Sequence, residues 1–293
     1  MNTSRVAVVT GGASGIGRAM ARYFVDQQYG HVAVLDVNKT SGGEAVAELK
    51  AASSGSTQVS FLECDVASWV SQAAAFRHVY DACGGRIDVV MANAGISENG
   101  ESPLVAEAMK DEDEDEPGEP SEPSMRTLNV NLVGTIFRNN GAIKLATHYM
   151  KKNTPAVYGK RWAASRGRII CTASNAGLYP FPVAPIYAAS KNGVIGLVRS
   201  LAQPLERAAI EIFGLAPAVL ETNIAPNKDL FKAMKMTPMT TLTKGVNEIL
   251  TGSELSGGVA EIHGENVTFR AAPEFVDADS EANINNFWNL GYA

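Results

Sequence analysis

Short apolar runs alternate with longer amphipathic stretches over the first 92 residues, and this alternation constrains the fold more than any other feature. It predicts strands at 6–10, 32–36, 59–62 and 87–92, separated by helices at 16–29, 42–52 and 70–82. Strands that alternate with helices form parallel sheets through right-handed crossovers. Because these strands are almost wholly apolar, both faces of the sheet must be covered. The sequence therefore predicts the α/β class, with a doubly wound parallel sheet and helices on both faces.

The second half of the chain continues this pattern as one unit. It predicts helices near 125–150 and 187–209 and strands at 168–172 and 210–215, with no internal repeat. We therefore expect a single domain over 1–293. Two loop insertions interrupt it, an acidic one near 107–123 and a basic one near 151–166, because like charges mixed with proline and glycine cannot bury a core. A tail that recruits a partner is the alternative reading of the acidic insertion.

Composition excludes several classes of protein. The net charge of −6 resides in the acidic insertion, and no basic stripe for nucleic acid occurs elsewhere. No apolar run approaches the roughly 18 residues that span a bilayer, and a strand already begins at Val6, so we expect neither a membrane span nor a leader peptide. Cys64, Cys83 and Cys171 are too few and too far apart for disulfides or a metal site. We expect a cytoplasmic protein with free thiols and no metal.

A glycine-rich turn, TGGASGIG at 10–17, follows the first predicted strand and opens the first helix. Glycines there let the backbone approach a pyrophosphate, which then faces the helix N-terminus, as in Rossmann folds. Asp36 ends the second strand, nineteen residues after Gly17. Its carboxylate can bind ribose hydroxyls and repels a 2′-phosphate, so we expect NAD rather than NADP. A plain turn, and a capping role for Asp36, are the alternatives.

With three residues between Gly11 and Gly15, this pattern resembles that of the short-chain dehydrogenase/reductase family. Asp65-Val66 looks like the family's adenine contact, and Asn93-Ala94-Gly95 resembles its motif after the fourth strand. Residues 217–222 resemble the segment near the nicotinamide, with alanine in place of the family's glycine at 218. The resemblance covers about 5–225. It implies cofactor contacts at Gly11, Ser14, Gly15, Ile16, Gly17, Asp36, Val37, Asp65, Val66, Asn93, Ala94, Gly95, Tyr187, Lys191, Pro217, Val219 and Thr222.

Tyr187 and Lys191 are four residues apart, so they share one face of a helix. A phenol has a pKa near 10, and a neighbouring ammonium is expected to lower it. Tyr187 can then serve as general base in alcohol oxidation or general acid in ketone reduction. This spacing alone is common and mostly structural. The family resemblance adds Ser174, thirteen residues earlier, as a hydrogen-bond donor to the substrate oxygen, and Asn131 as the holder of a water that links the lysine to solvent.

The C-terminal tail, 255–269, resembles that of family members similar to 15-hydroxyprostaglandin dehydrogenase, which oxidise lipid-like secondary alcohols with NAD. Ala184 stands where those enzymes carry a substrate-binding glutamine, so prostaglandin itself is not expected. A segment near 222–245 should cover the substrate. The apolar residues expected around it are Leu178, Phe181, Pro182, Val183, Ile186, Ile224, Leu230, Phe231, Met234 and Met236. They favour a small hydrophobic substrate, with ordinary core packing as the alternative.

Together these features predict an NAD-dependent short-chain alcohol dehydrogenase or ketoreductase that acts on a hydrophobic secondary alcohol or ketone. Two alternatives keep the fold: an NAD-binding scaffold or sensor, and a non-redox cyclase or isomerase. The family resemblance also implies a homo-oligomer, a dimer or tetramer, built on the two later helices. Small and apolar residues that suit such packing are Gly134, Gly141, Ala142, Gly193, Gly196 and Leu197, although the core alone could use them.

Overall fold

A computed structural model of the chain describes residues 5–53, 55–98, 102–109, 122–136, 141–156, 164–222, 228–252 and 254–291. Within these residues the strands are β1 (Val6–Thr10), β2 (His31–Asp36), β3 (Gln58–Glu63), β4 (Val89–Ala92), β5 (Gly167–Thr172), β6 (Ile210–Pro217), β7 (Val259–His263) and β8 (Asn266–Arg270). They form one sheet in the order β3-β2-β1-β4-β5-β6-β7-β8. All neighbouring pairs are parallel except β7 and β8, so β8 is an antiparallel edge strand.

Helices connect these strands. They are α1 (Gly15–Asp26), α2 (Lys39–Ala52), α3 (Trp69–Ala82), α4 (Pro103–Met109), α5 (Arg126–Leu128), α6 (Gly134–Ile136), α7 (Ala142–Met150), α8 (Pro185–Glu206), α9 (Met239–Thr251) and α10 (Ala278–Asn289). Side chains cap some of their first turns: Asn38 accepts a hydrogen bond from the Ser41 N–H, and Asp277 accepts one from the Ser280 N–H. No helix in the described ranges is long and apolar enough to cross a bilayer.

Each face of the sheet carries its own buried core, as the apolar strands predict. In β1, Val6 and Val8 face a core shared with α3, α7 and α8. The alternate residues Ala7 and Val9 face a second core shared with α1, α2 and α9. Because successive strand residues point to opposite faces, both sets are removed from water. The predicted α/β fold with helices on both faces is confirmed.

The helix predicted near 125–150 is broken, which corrects the prediction. A π-helical turn, Asn129–Val133, joins α5 to α6, and α7 starts anew after Gly141. Gly141 is extended, with φ 173°, a conformation that cannot continue a helix. The helix predicted from Tyr187 to Ala209 instead runs from Pro185 to Glu206. Ala209 has φ 55°, in the left-handed region, and so lies outside the helix.

The elements β7, β8, α9 and α10 were not predicted from the sequence. The segment near 222–245 was expected to cover a substrate, but from Met239 onwards this segment is α9, and Leu242 is fully buried against the sheet. Residues 223–227 lie outside the described residues, as do 110–121 of the acidic insertion and 157–163 of the basic one. The two ends of the basic insertion lie side by side, because Ala156 and Ser165 pair with each other.

Candidate active site

The glycine turn requires glycine where the backbone passes closest to other chain segments. Gly11 has φ +63°, and a Cβ there would lie 2.8 Å from the Cα of Ala94. A Cβ on Gly17 would lie 2.1 Å from the carbonyl oxygen of Gly11. Any side chain would therefore push α1 away from the turn and the turn away from the loop after β4. The glycines bring the start of α1 to the carboxyl end of the sheet.

The start of α1 is open to an anion. Ser14 occupies the N-cap position, but its side chain makes no capping hydrogen bond, and the first turn holds no acidic residue. The first N–H groups of a helix have no partner within it, and they carry a partial positive charge. Gly15, Ile16 and Gly17 thus present donors that suit a pyrophosphate, so these residues fit a dinucleotide.

The carboxylate of Asp36 ties the glycine turn to the end of β2. Its Oδ2 accepts a hydrogen bond from the Ala13 N–H at 3.1 Å, and its Oδ1 accepts one from the Asn38 N–H at 3.1 Å. The capping role considered from the sequence is therefore real. It leaves room for ribose hydroxyls, because each carboxylate oxygen can accept more than one hydrogen bond. Val37, the next residue, is 60% exposed.

Asp65 and Val66 follow β3 at this same edge. The Asp65 carboxylate accepts a hydrogen bond from the Ala67 N–H at 2.8 Å, and its own N–H donates to Ser71 at 3.0 Å. Val66 is buried beside Gly134, where an added Cβ would lie 2.9 Å from the Val66 carbonyl oxygen. The structure thus orders both residues next to the strand that carries Asp36. Their contact with adenine stays a prediction.

Thr10 joins the first strand to the Asn-Ala-Gly motif, a role that sequence reasoning missed. Its hydroxyl oxygen accepts hydrogen bonds from the N–H groups of Asn93 at 3.0 Å and Ala94 at 3.1 Å. The Asn93 amide donates to the Thr10 carbonyl, and Thr172 donates to Asn93 Oδ1, both at 3.1 Å. The ends of β1, β4 and β5 are therefore locked together. Each threonine is the last residue of its strand, which was the available signal.

Asn131 lies in the π-helical turn and clamps the loop after β4. Its Oδ1 accepts a hydrogen bond from the Ile96 N–H at 2.8 Å, and its Nδ2 donates to the Ile96 carbonyl at 2.9 Å. The same Nδ2 donates to the hydroxyl of Ser190 on α8 at 3.0 Å. A Cβ added to Gly95 would lie 3.2 Å from Asn131 Oδ1 and 3.3 Å from Lys191 Nζ, so both side chains flank that glycine. The water-holding role of Asn131 stays a prediction.

Lys191 extends into the protein interior. It is 3% exposed, and its Nζ donates to the Thr172 carbonyl at 2.9 Å. The Nζ lies 5.6 Å from the centroid of the Tyr187 ring, so the two side chains share a face of α8 as predicted. Burial lowers the pKa of Lys191 from 10.5 to about 8, and the neighbouring Cys171 opposes part of that change. Lys191 therefore loses its proton at a lower pH than an exposed lysine does.

Burial, rather than Lys191, has the largest effect on the pKa of Tyr187. It raises the pKa of the phenol above its ordinary value, and a hydrogen bond with Ser174 offsets part of the rise. The prediction that the lysine makes this phenol acidic is therefore wrong for the protein alone. The reason is that desolvation penalises the phenolate, while the Lys191 ammonium is directed at the Thr172 carbonyl. Ser174 also accepts a hydrogen bond from the Ala176 N–H at 3.2 Å, which orients its hydroxyl.

The segment after β6 closes the other side of the glycine turn. β6 ends at Pro217, and the Val219 carbonyl accepts a hydrogen bond from the Thr237 N–H at 2.7 Å. A Cβ added to Gly15 would lie 3.6 Å from the Cβ of Thr222. Thr222 therefore faces the start of α1, where the sequence predicted a cofactor contact.

The predicted residues thus converge at the carboxyl ends of parallel strands, where open α/β sheets bind ligands. Near Tyr187 the walls are apolar: the Phe181 ring centroid lies 6.3 Å from the Tyr187 centroid, and Phe181 and Val183 are exposed. Ile224 and the side chain of Leu230 lie outside the part of the chain that the structure describes. In the described part of the chain, no three His, Cys, Asp or Glu side chains group as metal ligands, and all three cysteines are free.

Comparison with known proteins agrees with this geometry. The family model described as "short chain dehydrogenase" matches residues 5–232. The chain belongs to the short-chain dehydrogenase/reductase family. The resemblance found in the glycine turn and the Tyr-Lys pair is therefore confirmed over most of the chain.

Relatives in this family differ in length and substrate. The chain is 36% identical over 222 residues to the short-chain dehydrogenase/reductase prx4 of Penicillium roqueforti, covering 76% of this chain and 56% of that protein. It is 31% identical over 224 residues to human 15-hydroxyprostaglandin dehydrogenase [NAD(+)], covering 75% and 70%. The chain thus spans little more than half the length of prx4. A crystal structure of a short chain dehydrogenase from Mycobacterium smegmatis shares the fold, with a TM-score of 0.64, 24% identity and coverage of 89% and 92%.

Proposed function

We propose that this protein transfers a hydride between NAD(H) and a hydrophobic secondary alcohol or its ketone, with Tyr187 as the proton-transfer group. The observation that carries the proposal is the grouping of three side chains beside the glycine turn. The Ser174 hydroxyl offsets part of the rise in the pKa of the Tyr187 phenol, and the Lys191 Nζ lies 5.6 Å from the centroid of the phenol ring. When bound, NAD supplies the hydride acceptor and NADH the hydride donor.

The protein's own residues manage the proton and the charge on the substrate oxygen. Because burial raises the pKa of Tyr187, the phenol carries its proton at neutral pH and can donate it to a ketone oxygen. In the oxidation direction Tyr187 must first lose its proton, and the phenolate then receives the proton of the alcohol. Ser174 binds the substrate oxygen and stabilises the charge that develops there.

The charges near Asp36 favour NAD over NADP. Two cations stand near the glycine turn and Asp36 in the sequence, and each is paired: Arg18 with Glu48, and Lys39 with Glu63 at 2.9 Å. These pairs are exposed and therefore weak, yet they reduce the positive potential beside the Asp36 carboxylate. We accordingly infer NAD as the cofactor, in keeping with the human relative whose name specifies NAD(+).

The apolar groups beside Tyr187 support a hydrophobic substrate. Phe181 and Val183 are 39% and 63% exposed on the loop before α8. Large exposed apolar side chains near polar catalytic groups are typical of binding sites for apolar molecules. The human relative is named for a lipid-like alcohol, which agrees with this inference. We also propose that residues 1–293 form a single domain and that the protein is cytoplasmic.

We further propose a homo-oligomer that uses α8. Two of the expected contact residues already serve the chain itself, since a Cβ on Gly134 would meet Val66 at 2.9 Å and one on Gly193 would meet Leu132 at 2.7 Å. Gly196 differs, because nothing lies within 4 Å of its added Cβ and it is exposed. A flat, open position on a long helix permits close approach by a second copy. The dimer proposal therefore rests on Gly196 rather than on the other glycines.

The test of the reaction is Tyr187→Phe. We expect wild type to form NADH with a panel of hydrophobic secondary alcohols, and the variant to lose about 10²–10⁴-fold in kcat, because the proton-transfer group is removed. Tyr80→Phe, which removes a phenol from α3, is the matched control and should keep full activity. Cofactor affinity, read from NADH fluorescence, should be unchanged in Tyr80→Phe. Turnover that survives Tyr187→Phe would contradict the mechanism.

A further inference from the structure

The carboxylate of Glu98 reaches the first turn of the helix that carries Tyr187. Its Oε2 accepts a hydrogen bond from the backbone N–H of Tyr187 at 2.9 Å. The residue before α8, Ala184, makes no side-chain capping hydrogen bond. Glu98 therefore supplies the acceptor that this helix start lacks, and it does so at the residue with the proposed proton-transfer group.

Hydrogen bonds at Ile96 and at its own carboxylate hold Glu98 in place. Two residues earlier, the Ile96 backbone is bound by the Asn131 amide in both directions, at 2.8 and 2.9 Å. Asn131 in turn donates to Ser190, whose hydroxyl donates to the Tyr187 carbonyl at 2.6 Å. The loop after β4, which carries Glu98, is thus hydrogen-bonded to the first turn of α8 through Asn131 and Ser190.

The second carboxylate oxygen of Glu98 is left for another group. Oε1 is buried and has no hydrogen-bond partner among the residues that the structure describes. Both oxygens of a carboxylate accept hydrogen bonds, and folded proteins rarely leave a buried acceptor unpaired. A donor from outside the chain would complete it.

A substrate bound at Tyr187 would lie beside the loop that carries Glu98. β4 and β5 are parallel neighbours, so the loops that follow them emerge at the same edge of the sheet. Tyr187 lies between them, bonded to Glu98 on one loop and with its ring centroid 6.3 Å from that of Phe181 on the other. A substrate whose oxygen meets the Tyr187 hydroxyl therefore extends between an apolar group and an unpaired acceptor.

We propose that Glu98 is a specificity-determining residue whose Oε1 accepts a hydrogen bond from a second hydroxyl or an amino group of the substrate. Oε2 meanwhile holds the first turn of α8. This inference rests on the proposed function and narrows it. The substrate is an apolar secondary alcohol that carries a further hydrogen-bond donor close to the reacting carbon.

Two probes separate this role from a purely structural one: α-tetralol, and the analogue with a second hydroxyl on the neighbouring carbon. Wild type should prefer the diol by about tenfold or more in kcat/KM, because only the diol satisfies Oε1. In Glu98→Gln the amide oxygen can still accept the Tyr187 N–H, but an amino group then replaces Oε1. This variant should lose the preference for the diol, so that its kcat/KM values for the diol and for α-tetralol become equal. Glu98→Ala should weaken both reactions.

Calorimetric binding of both alcohols to the NADH-loaded protein gives a readout that does not need turnover. Tighter binding of the diol to wild type than to Glu98→Gln supports the inference. If neither alcohol is oxidised but this difference is present, the proposed reaction fails while the recognition role of Glu98 stands. Equal binding and equal kcat/KM for the two alcohols in wild type, or a diol preference that persists in Glu98→Gln, overturns the role.

Discussion

Lys191 carries its amino group into the core beside Cys171 and Tyr187, where desolvation opposes charge on all three. Burial raises the pKa of the Cys171 thiol to about 12 and that of the Tyr187 phenol above its ordinary value, while it lowers the pKa of Lys191 to about 8. Protonation in this cluster is thus governed by burial first and by mutual charge second. The cluster holds a neutral phenol ready to donate a proton.

The lowered pKa of Lys191 predicts a pH-dependent stability. Between pH 8 and 10.5 the unfolded chain keeps the lysine proton that the folded protein has released, so stability rises with pH in this window. Measured by urea denaturation, the free energy of unfolding of wild type relative to Lys191→Met should increase by about 3 kcal/mol from pH 8 to 10.5. Titrating groups that do not interact with Lys191 cancel in this difference. A difference that stays flat or falls with pH would contradict a depressed pKa.

Asp36 is expected to control the choice of cofactor. Asp36→Asn keeps an acceptor for the Ala13 or Asn38 N–H but removes the charge that repels a 2′-phosphate. The ratio of kcat/KM for NAD to that for NADP should fall by about tenfold or more, a change of ~1.4 kcal/mol. Asp26→Asn, at the far end of α1, removes an equal charge and should leave the ratio unchanged. An unaltered ratio in Asp36→Asn would assign the residue to turn capping alone.

At the scale of elements, the site depends on where helices begin. The first N–H groups of α1 have no acceptor within that helix. At the start of α8, the Glu98 carboxylate accepts a hydrogen bond from the Tyr187 N–H. Between them, the π-helical turn Asn129–Val133 directs Asn131 at the loop after β4. π-turns often occur at functional sites because the inserted residue redirects a side chain. The ends and irregularities of helices therefore position the chemistry, while the regular turns pack.

Gly17→Ala tests the close approach of α1 to the glycine turn. The new Cβ would lie 2.1 Å from the Gly11 carbonyl oxygen, so the helix start must shift. We expect a loss of about 1–3 kcal/mol in stability and at least ~10-fold weaker NADH binding by fluorescence titration. Gly43→Ala in α2 is the matched control, because its Cβ meets nothing within 4 Å. It should gain about 0.5–1 kcal/mol from helix propensity. NADH affinity equal to wild type in Gly17→Ala would contradict the turn's role.

At the scale of the whole molecule, one buried ion pair ties the sheet to a helix. Arg168 on β5 and Glu211 on β6 are register partners, and Arg168 Nε donates to Glu211 Oε2 at 2.7 Å. The same guanidinium donates to the carbonyl of Leu250 on α9. Arg168 is 1% exposed and Glu211 is 9% exposed. The pair thus joins two strands and α9 on the side that packs against α1.

Removing one partner should be far more damaging than removing both. Glu211→Ala leaves a charged guanidinium in the core, and we expect a loss of about 3–5 kcal/mol in chemical denaturation. The double variant Arg168→Met, Glu211→Leu should recover most of that loss. Glu63→Ala, which breaks the exposed pair with Lys39, should cost no more than ~1 kcal/mol. Equal losses for Glu211→Ala and Glu63→Ala would show that burial of the pair is irrelevant.

The sequence by itself determined the features that depend on residues close together in the chain. The strands of the first half follow from apolar runs, and β1 was predicted at its observed limits, Val6–Thr10. The glycine turn, the Tyr187–Lys191 spacing and the Ser174 offset identified the family, because each motif is set by residues near in the chain. The π-turn Asn129–Val133 and the half-exposed edge strand β8 were not predicted, because hydrophobic periodicity registers neither an inserted residue nor a strand with few buried side chains.

Only the tertiary structure decided how these residues behave together. The capping of α8 by Glu98, which comes 89 positions earlier in the chain, could not be read from spacing. Nor could the pKa of Tyr187, because it depends on how completely the folded chain excludes water from the phenol. Sequence patterns specify which groups are present and on which element. Burial and long-range contacts, which require the whole fold, determine their charge and their partners.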